Sequence, residues 1–327
     1  MFRNAFNLSA VVATGICAII LAVAPLAAQE YPSKPIRVWI PSSPGGASDV
    51  TARILGVRIT DVLGQPVLVE NRVASGGVFA TTQLAKSVPD GYTLMMTFDT
   101  FATNPHMFKE MPYDVVRDFT PVMLVTRYPQ LLILHPNLNV TTLKDFVAYA
   151  KKNGAKMNNG TAGPASSSRL SYELFKEAAG IETTAVHYKG AGPAVQDLMA
   201  GQLQVIMITA NSSIQQAMKG GKLIGLATSG IKRAPHFPDL PTIADAYPGF
   251  ETFSWVGMIG PAGLPKPIVD RLNFTLKRIL AAQDMKDQIF GQGGEVVASA
   301  PDEFADMIRT ENNKWGRIIR AKGITID

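Results

Sequence analysis

The chain has 327 residues, 31 Lys plus Arg against 26 Asp plus Glu, four His and one Cys, for a formal charge of +5 and a charged fraction of 17%. A hydrophobic fraction of 46% with 15 Phe, eight Tyr and three Trp excludes global disorder, and the length suits about two domains at roughly 150 residues each. One cysteine excludes an internal disulfide or a thiolate metal cluster, and the basic surplus, spread without a Lys/Arg run, leaves no nucleic-acid footprint.

Residues 1–28 read as a secretory leader: Arg3 is basic, residues 11–24 are apolar, and Ala27-Ala28 supply small residues before a cut expected after Ala28. An uncleaved anchor is the alternative, since residues 8–28 match the ~20 residues of a membrane span in length. Pro25 and its small neighbours favour cleavage, which also removes Cys17. The mature chain is therefore expected to be soluble and exported.

Residues 36–41 then form an apolar strand, a Gly-rich turn follows, and residues 50–63 carry helical spacing that Gly64 stops. A strand at 67–70, the turn Gly76-Gly77, a helix at 79–86, the turn Pro89-Asp90-Gly91 and a strand at 92–98 continue the alternation. Two short strands, 122–125 and 131–134, flank Tyr128-Pro129. A second series follows: helix 143–152, strand 156–159, helix 168–179, strand 183–188, helix 194–200 and strand 203–209. A strand at 223–228, a Pro-rich stretch at 235–248, a strand at 255–259 and helices at 268–280 and 304–319 complete the chain. Strands alternating with helices imply an α/β fold with mixed or largely parallel sheets flanked by helices. Crossings near 121–127 and 222–229 divide it into a first domain of residues 29–124 and 226–327 and an inserted second domain of 125–225, joined by a hinge of crossing strands.

Two turns carry the chemistry. Ser42-Ser43-Pro44-Gly45-Gly46-Ala47-Ser48-Asp49 joins a strand's carboxyl end to a helix, where open α/β sheets place ligands and free helix amides favour an anion. Ser48 or Asp49 would cap that helix. The bland alternative is an ordinary capped turn. The second loop runs from Gly160 through Gly163 to Ser166, Ser167, Ser168 and Arg169. Arg169 in a first helical turn opposes the helix dipole, which suggests a compensating anion, against a solvated Arg as the alternative. The pair points to a cleft between two domains. A third loop, His187-Tyr188-Lys189-Gly190-Ala191-Gly192-Pro193, lacks the third glycine and acidic partner of a dinucleotide fingerprint, and His187 has no identifiable orienting partner. No catalytic template is present, and the four His residues show no metal-ligand spacing, so no cofactor or metal is expected.

Quoted in order, Tyr31-Pro32, Pro44-Gly45-Gly46 with Asp49 and Arg53, Val69-Glu70-Asn71-Arg72, Gly76-Gly77 and Asp90-Gly91-Tyr92-Thr93 form a pattern. It continues through Tyr172-Glu173-Leu174-Phe175, Tyr188-Lys189-Gly190, Pro193-Ala194, Asp197-Leu198, Gly221-Lys222-Leu223, Pro238-Asp239-Leu240-Pro241-Thr242, Trp255 with Gly257, and Pro261-Ala262-Gly263 with Pro265. In this order the chain resembles the exported solute-binding proteins of tripartite tricarboxylate transporters, the Bug or TctC-like family, from about Tyr31 to its end. The resemblance implies a two-domain Venus-flytrap periplasmic binding protein, expected as a monomer, that closes on a small organic carboxylate and delivers it to integral-membrane permease subunits. It assigns the pinching loops to residues 42–49 and 163–169, so Ser42, Ser43, Gly45, Gly46, Ala47 and Asp49 face Gly163, Ser166, Ser167, Ser168 and Arg169. Phe98, Tyr188, Lys189 and Thr209 would complete the cleft. Two departures bear on the ligand: Arg169 replaces the family's usual His, and Thr209-Ala210 replaces its Phe-Asp. Both favour a second carboxylate or a neutral tail over an ammonium group, so a di-, tri- or aromatic carboxylate is expected. An exported α/β hydrolase using Ser166 to Ser168 or His187 is the alternative, and a receptor that signals rather than transports is a third reading.

Overall fold

The computed structural model describes residues 31–324, apart from Lys189 and Asn211; the expected leader at residues 1–28, with Cys17, lies outside the described residues. The first part of the chain runs β1 (Ile36–Ile40), α1 (Ala47–Leu63), β2 (Val67–Asn71), α2 (Val78–Ala85), β3 (Thr93–Phe98), the single-turn α3 (Thr100–Thr103) and a long β4 (Phe119–Leu134). The middle runs α4 (Leu143–Asn153), β5 (Asn158–Thr161), α5 (Ser167–Ala179), β6 (Thr184–His187), α6 (Ala191–Met199), β7 (Val205–Thr209), α7 (Ser212–Lys219) and β8 (Ile224–Thr228). After residues 229–252 come β9 (Phe253–Pro261), α8 (Lys266–Ala281), α9 (Gln283–Gly291), β10 (Glu295–Val296) and α10 (Pro301–Ala321).

Strands that read as continuous apolar runs bury both faces. In β1, Val38 and Ile40 join a cluster with Leu55 of α1 and Leu272 and Leu276 of α8, while Trp39 points the other way into a cluster with Trp255 and Phe304. In β4, Leu132 and Leu134 pack with Phe146, Tyr172 and Phe175, whereas Leu131 and Ile133 pack with Leu198 and Ile206. This period-two division between opposed cores requires helices on both faces of the sheet.

The sheet order is β2-β1-β3-β9-β4-β7-β5-β6, with β8 and β10 also on β4. Pairing is parallel within β2-β1-β3 and within β7-β5-β6, and antiparallel for β3-β9, β9-β4, β4-β7 and β4-β8. The sheet is therefore mixed, with the antiparallel pairs collected at its centre.

Residues 119–134 form one strand rather than two short ones flanking Tyr128-Pro129. Pro129 does not break it because the partners change there. The β9 ladder ends at the Pro129–Phe253 pair and the β7 ladder begins at Gln130–Thr209, so the missing proline N–H falls at the handover. The Pro129 carbonyl accepts from Ala210 N at 3.0 Å, and Gln130 N donates to Ser229 Oγ at 2.9 Å. Strand β8 pairs with the second half of β4, and Phe237, Ile243 and Phe250 pack into the cores on that side. Helix α10 reaches across: Phe304 and Ile308 serve the first half, while Trp315, Ile318 and Ile319 pack with Leu170 of α5.

Candidate functional site

Strand directions aim the two loops at the same part of the sheet. Strands β1 and β3 run parallel to the first half of β4, because each is antiparallel to β9 or parallel to a strand that is; β7, β5 and β6 run against β4. Both groups of carboxyl ends therefore point at the middle of β4. Phe98 at the end of β3 and Thr126 of β4 both pair with Val256, and Thr209 at the end of β7 pairs with Gln130. Four residues of strand separate these levels, roughly 13 Å at 3.3 Å per residue.

In the first loop, residues 43–47 are exposed. Gly45 has φ +86°, with open space where a Cβ would stand, so conformation rather than crowding selects glycine. Neither Ser48 nor Asp49 caps helix α1 from outside; its N-cap is Gly46, and Asp49 lies inside the first turn. Buried to 3% exposure, the Asp49 carboxylate accepts from Gly45 N (2.9 Å), Arg53 Nε (3.0 Å) and Asn71 Nδ2 (2.9 Å). Burial works against its charge, but Arg53, the Gly45 amide and Asn71 outweigh it and hold the pKa below the ordinary 3.8. Asp49 thus shapes the loop. Ser48 Oγ bonds to Ser42 Oγ at 3.1 Å, and Asn71 Nδ2 also donates to the Ser42 carbonyl.

In the second loop, Ser166 is the N-cap of α5: its Oγ accepts from Arg169 N at 3.3 Å and donates to the Gly163 carbonyl at 2.7 Å. Ser168 Oγ donates to the Met207 carbonyl at 2.6 Å, fixing the helix start over β7. Ser167 lies near enough to Asp99, just beyond β3, to favour its ionised form. Ser254 Oγ donates to Asp99 Oδ2 at 2.8 Å. Burial pushes the Asp99 pKa up; Ser167, Ser254 and the Thr100 amide oppose this, and Glu311 adds to it. Arg169 is half-buried, its Nη1 donating to the Pro164 carbonyl at 2.9 Å. Its Nε is buried with no partner among the described residues, and burial lowers its pKa while Glu173 opposes.

Around these loops, Phe98, Tyr188 and Thr209 are each half-buried. The Tyr188 hydroxyl donates to Asp197 Oδ2 at 2.6 Å, and burial together with Asp197 pushes it up to about 12. His187, without an evident partner in the sequence, bonds through Nδ1 to Thr161 Oγ1 at 2.8 Å; burial and Arg169 lower its pKa. Lys189 lies outside the described residues. The structure adds Asp99, Ser254 and Gln130 to this region. A lone Asp after a strand is the only sequence signal for Asp99, and Gln130 falls in the break between the two expected short strands. Among the described residues, no group of three or more His, Cys, Asp or Glu side chains could hold a metal ion, and no helix is long and apolar enough to cross a membrane.

Residues 51–324 match the family described as tripartite tricarboxylate transporter family receptor. BugT of Bordetella pertussis is 33% identical over 303 residues, covering 92% of this chain and 93% of that protein. Among solved structures, a Rhodopseudomonas palustris protein with adipate has a TM-score of 0.80 and 31% identity, covering 91% of this chain and all of the other. The periplasmic binding protein BugD gives 0.76 and 32%, covering 90% and 99%. MatC of R. palustris with bound malate gives 0.75 and 30%, covering 88% and 100%.

Proposed function

The chain belongs to the tripartite tricarboxylate transporter receptor family of solute-binding proteins, and we propose that it captures a small organic carboxylate in the periplasm and delivers it to the membrane subunits of such a transporter. The observation that carries this reading is the convergence of two helix starts, α1 behind Ser42 to Asp49 and α5 behind Gly163 to Arg169, on the middle of one shared strand. Helix N-termini present amide donors and the positive end of the helix dipole, which suit a carboxylate without a basic patch. Charge-assisted hydrogen bonds contribute about 1.5 to 3 kcal/mol each. A micromolar ligand needs about 8 kcal/mol net, so several such bonds suffice after ordering is subtracted. The relatives bound to adipate and malate favour a dicarboxylate, and the Arg169 Nε, buried without a partner among the described residues, supports a second anionic contact.

The ligand-binding set is Ser42, Ser43, Gly45, Gly46, Ala47, Phe98, Gly163, Ser167, Arg169, Tyr188, Lys189 and Thr209, with Asp49, Ser166 and Ser168 holding the loops in shape. The molecule's two lobes are residues 31–128 with 252–324, and residues 129–251. Their pivot is the change of partners at Pro129 and the nearby entry of β9 at Phe253. The hydrolase alternative has no comparable support, because Ser166 and Ser168 donate to backbone carbonyls and His187 bonds to Thr161.

A thermal-shift panel of mono-, di-, tricarboxylates and aromatic acids tests the reading. At least one dicarboxylate should raise the melting temperature, give a calorimetric Kd and be recovered unchanged. No binding by any acid, or conversion of one into product, would overturn it. Small-angle scattering should show a smaller radius of gyration with saturating ligand; identical profiles would remove closure from the account.

A further inference from the structure

Away from β4 and β9, two side-chain bridges join the lobes, and they lie on opposite faces of the sheet. In the first, Trp315, Ile318 and Ile319 of α10 pack with Leu170 of α5, all nearly fully buried. In the second, the ring of His236, in the second lobe, stacks on that of Phe290, in the last turn of α9 in the first lobe; the centroids are 3.8 Å apart and the planes 19° from parallel. His236 Nε2 also donates to the Phe290 carbonyl at 2.8 Å, and the His236 carbonyl accepts from Gln215 Nε2 of α7 at 3.2 Å. The faces follow from β4: Tyr172 and Phe175 of α5 pack with Leu132 and Leu134, whereas Phe237, next to His236, packs with Leu131 and Ile133.

The two bridges are unequal. The α5–α10 bridge is a closed apolar core. The other is one ring pair and one hydrogen bond, Phe290 is 46% exposed, and beside it lies a cavity of about 230 Å³ walled by Gln215 and Pro235 from the second lobe and by Gly291 and Gly293 from the first. Atoms lining a void lack contacts on one side, so the lobes fit loosely here. A rotation about the pivot that spreads one face of the sheet compresses the other, so the lobes part where least is lost, at His236. Helix α1 lies on that same face, its Leu55 and Ile59 in one cluster with Met285 and Ile289 of α9. Parting there draws the loop of residues 42–49 away from the second lobe.

We propose that His236 and Phe290 form a clasp that holds the lobes closed, which makes them positioning residues for ligand capture: they set the fraction of chains whose cleft is closed and do not touch the ligand. The proposal rests on the two-lobe carboxylate reading above and adds to it which face opens and what restrains it. A site competent only when closed binds with an apparent affinity scaled by the closed fraction, so a weaker clasp weakens binding without altering the cleft.

Small-angle scattering and calorimetry of the native chain, His236→Ala, Phe290→Ala and the double variant test this. Without ligand, each variant should have a larger radius of gyration than the native chain. Titrated with succinate, adipate and malate, each single variant should bind whichever acid the native chain binds about fivefold or more weakly. The double variant should be no weaker than the single ones, because all three lose the same contact. Circular dichroism checks the fold, and Phe290→Ala, at a half-exposed position, decides the matter by itself if His236→Ala does not fold. A lowered melting temperature with an unchanged ligand-free radius would make the pair structural only and overturn the clasp, as would losses of affinity that multiply in the double variant. A native chain that binds none of the three acids overturns the carboxylate reading instead, and the ligand-free radii still decide the clasp.

Discussion

In the first glycine-serine loop, residues 43–47 are exposed, and the three donors gathered by Asp49 all come from its own half of the molecule. In the second, Ser166 caps the helix, Ser168 is bound to the β7 backbone and Ser167 lies near Asp99 of the opposite half. Both join a strand end to a helix start with the same residue types. The first is held from beneath by a buried acid that leaves its backbone accessible; the second uses its side chains as fasteners. A Ser-rich loop beside a cleft therefore need not offer its hydroxyls to a ligand, and the amides of the helix start are the groups common to both.

The strongest way to break this contrast is to remove the acid. Asp49→Ala removes the acceptor shared by the Gly45 amide, Arg53 Nε and Asn71, of which Asn71 keeps the Ser42 carbonyl, and should lower unfolding free energy by about 2 to 3 kcal/mol in urea titration at neutral pH. Because the Asp49 pKa is held below 3.8, its contribution is present above that value and fades as the pH falls through the lowered pKa, so the difference between variant and native should shrink in acid. An unchanged midpoint would show that the first loop does not depend on its acid. Ser168→Ala tests the fastener and should lower stability by about 1 to 2 kcal/mol, since it frees the Met207 carbonyl and the Ala162 amide. A loss of affinity with no loss of stability would instead make Ser168 a ligand contact. The smallest effect is expected from Asp99→Asn and appears as a pH trend. The native carboxyl has a raised pKa, so its stabilising share is complete below 3.8 and is lost as the pH climbs through the raised value. The melting temperature of the Asn variant relative to the native chain should therefore rise from acid towards neutral pH; a flat difference would show that Asp99 ionises freely.

Much of this was legible in residue order. The strand and helix alternation from Ile36 to Phe98 follows from apolar periodicity and glycine stops, and both loops were found because Gly and Ser clusters between a strand and a helix have few structural meanings. Short or interrupted elements were less legible. Pro129 looked like a break because a proline's local signal says nothing about where its strand changes neighbours. Helix α7 and the two-residue β10 carry too little periodic signal to stand out. The core role of residues 235–250 is not legible because the Pro-rich stretch has no periodicity, although Phe237, Ile243 and Phe250 are core residues.

By itself the sequence determined the α/β class, the positions of the two loops and the family, because each depends on local pattern or on motif order along one chain. Tertiary structure alone decided that β4 runs through Pro129 without a break, that the strand ends carrying the two loops are directed at the middle of β4, and that Gln130 is buried there. These are long-range facts. They depend on strand direction and register about β4, where a shift of one residue would turn Gln130 to the opposite face of the sheet.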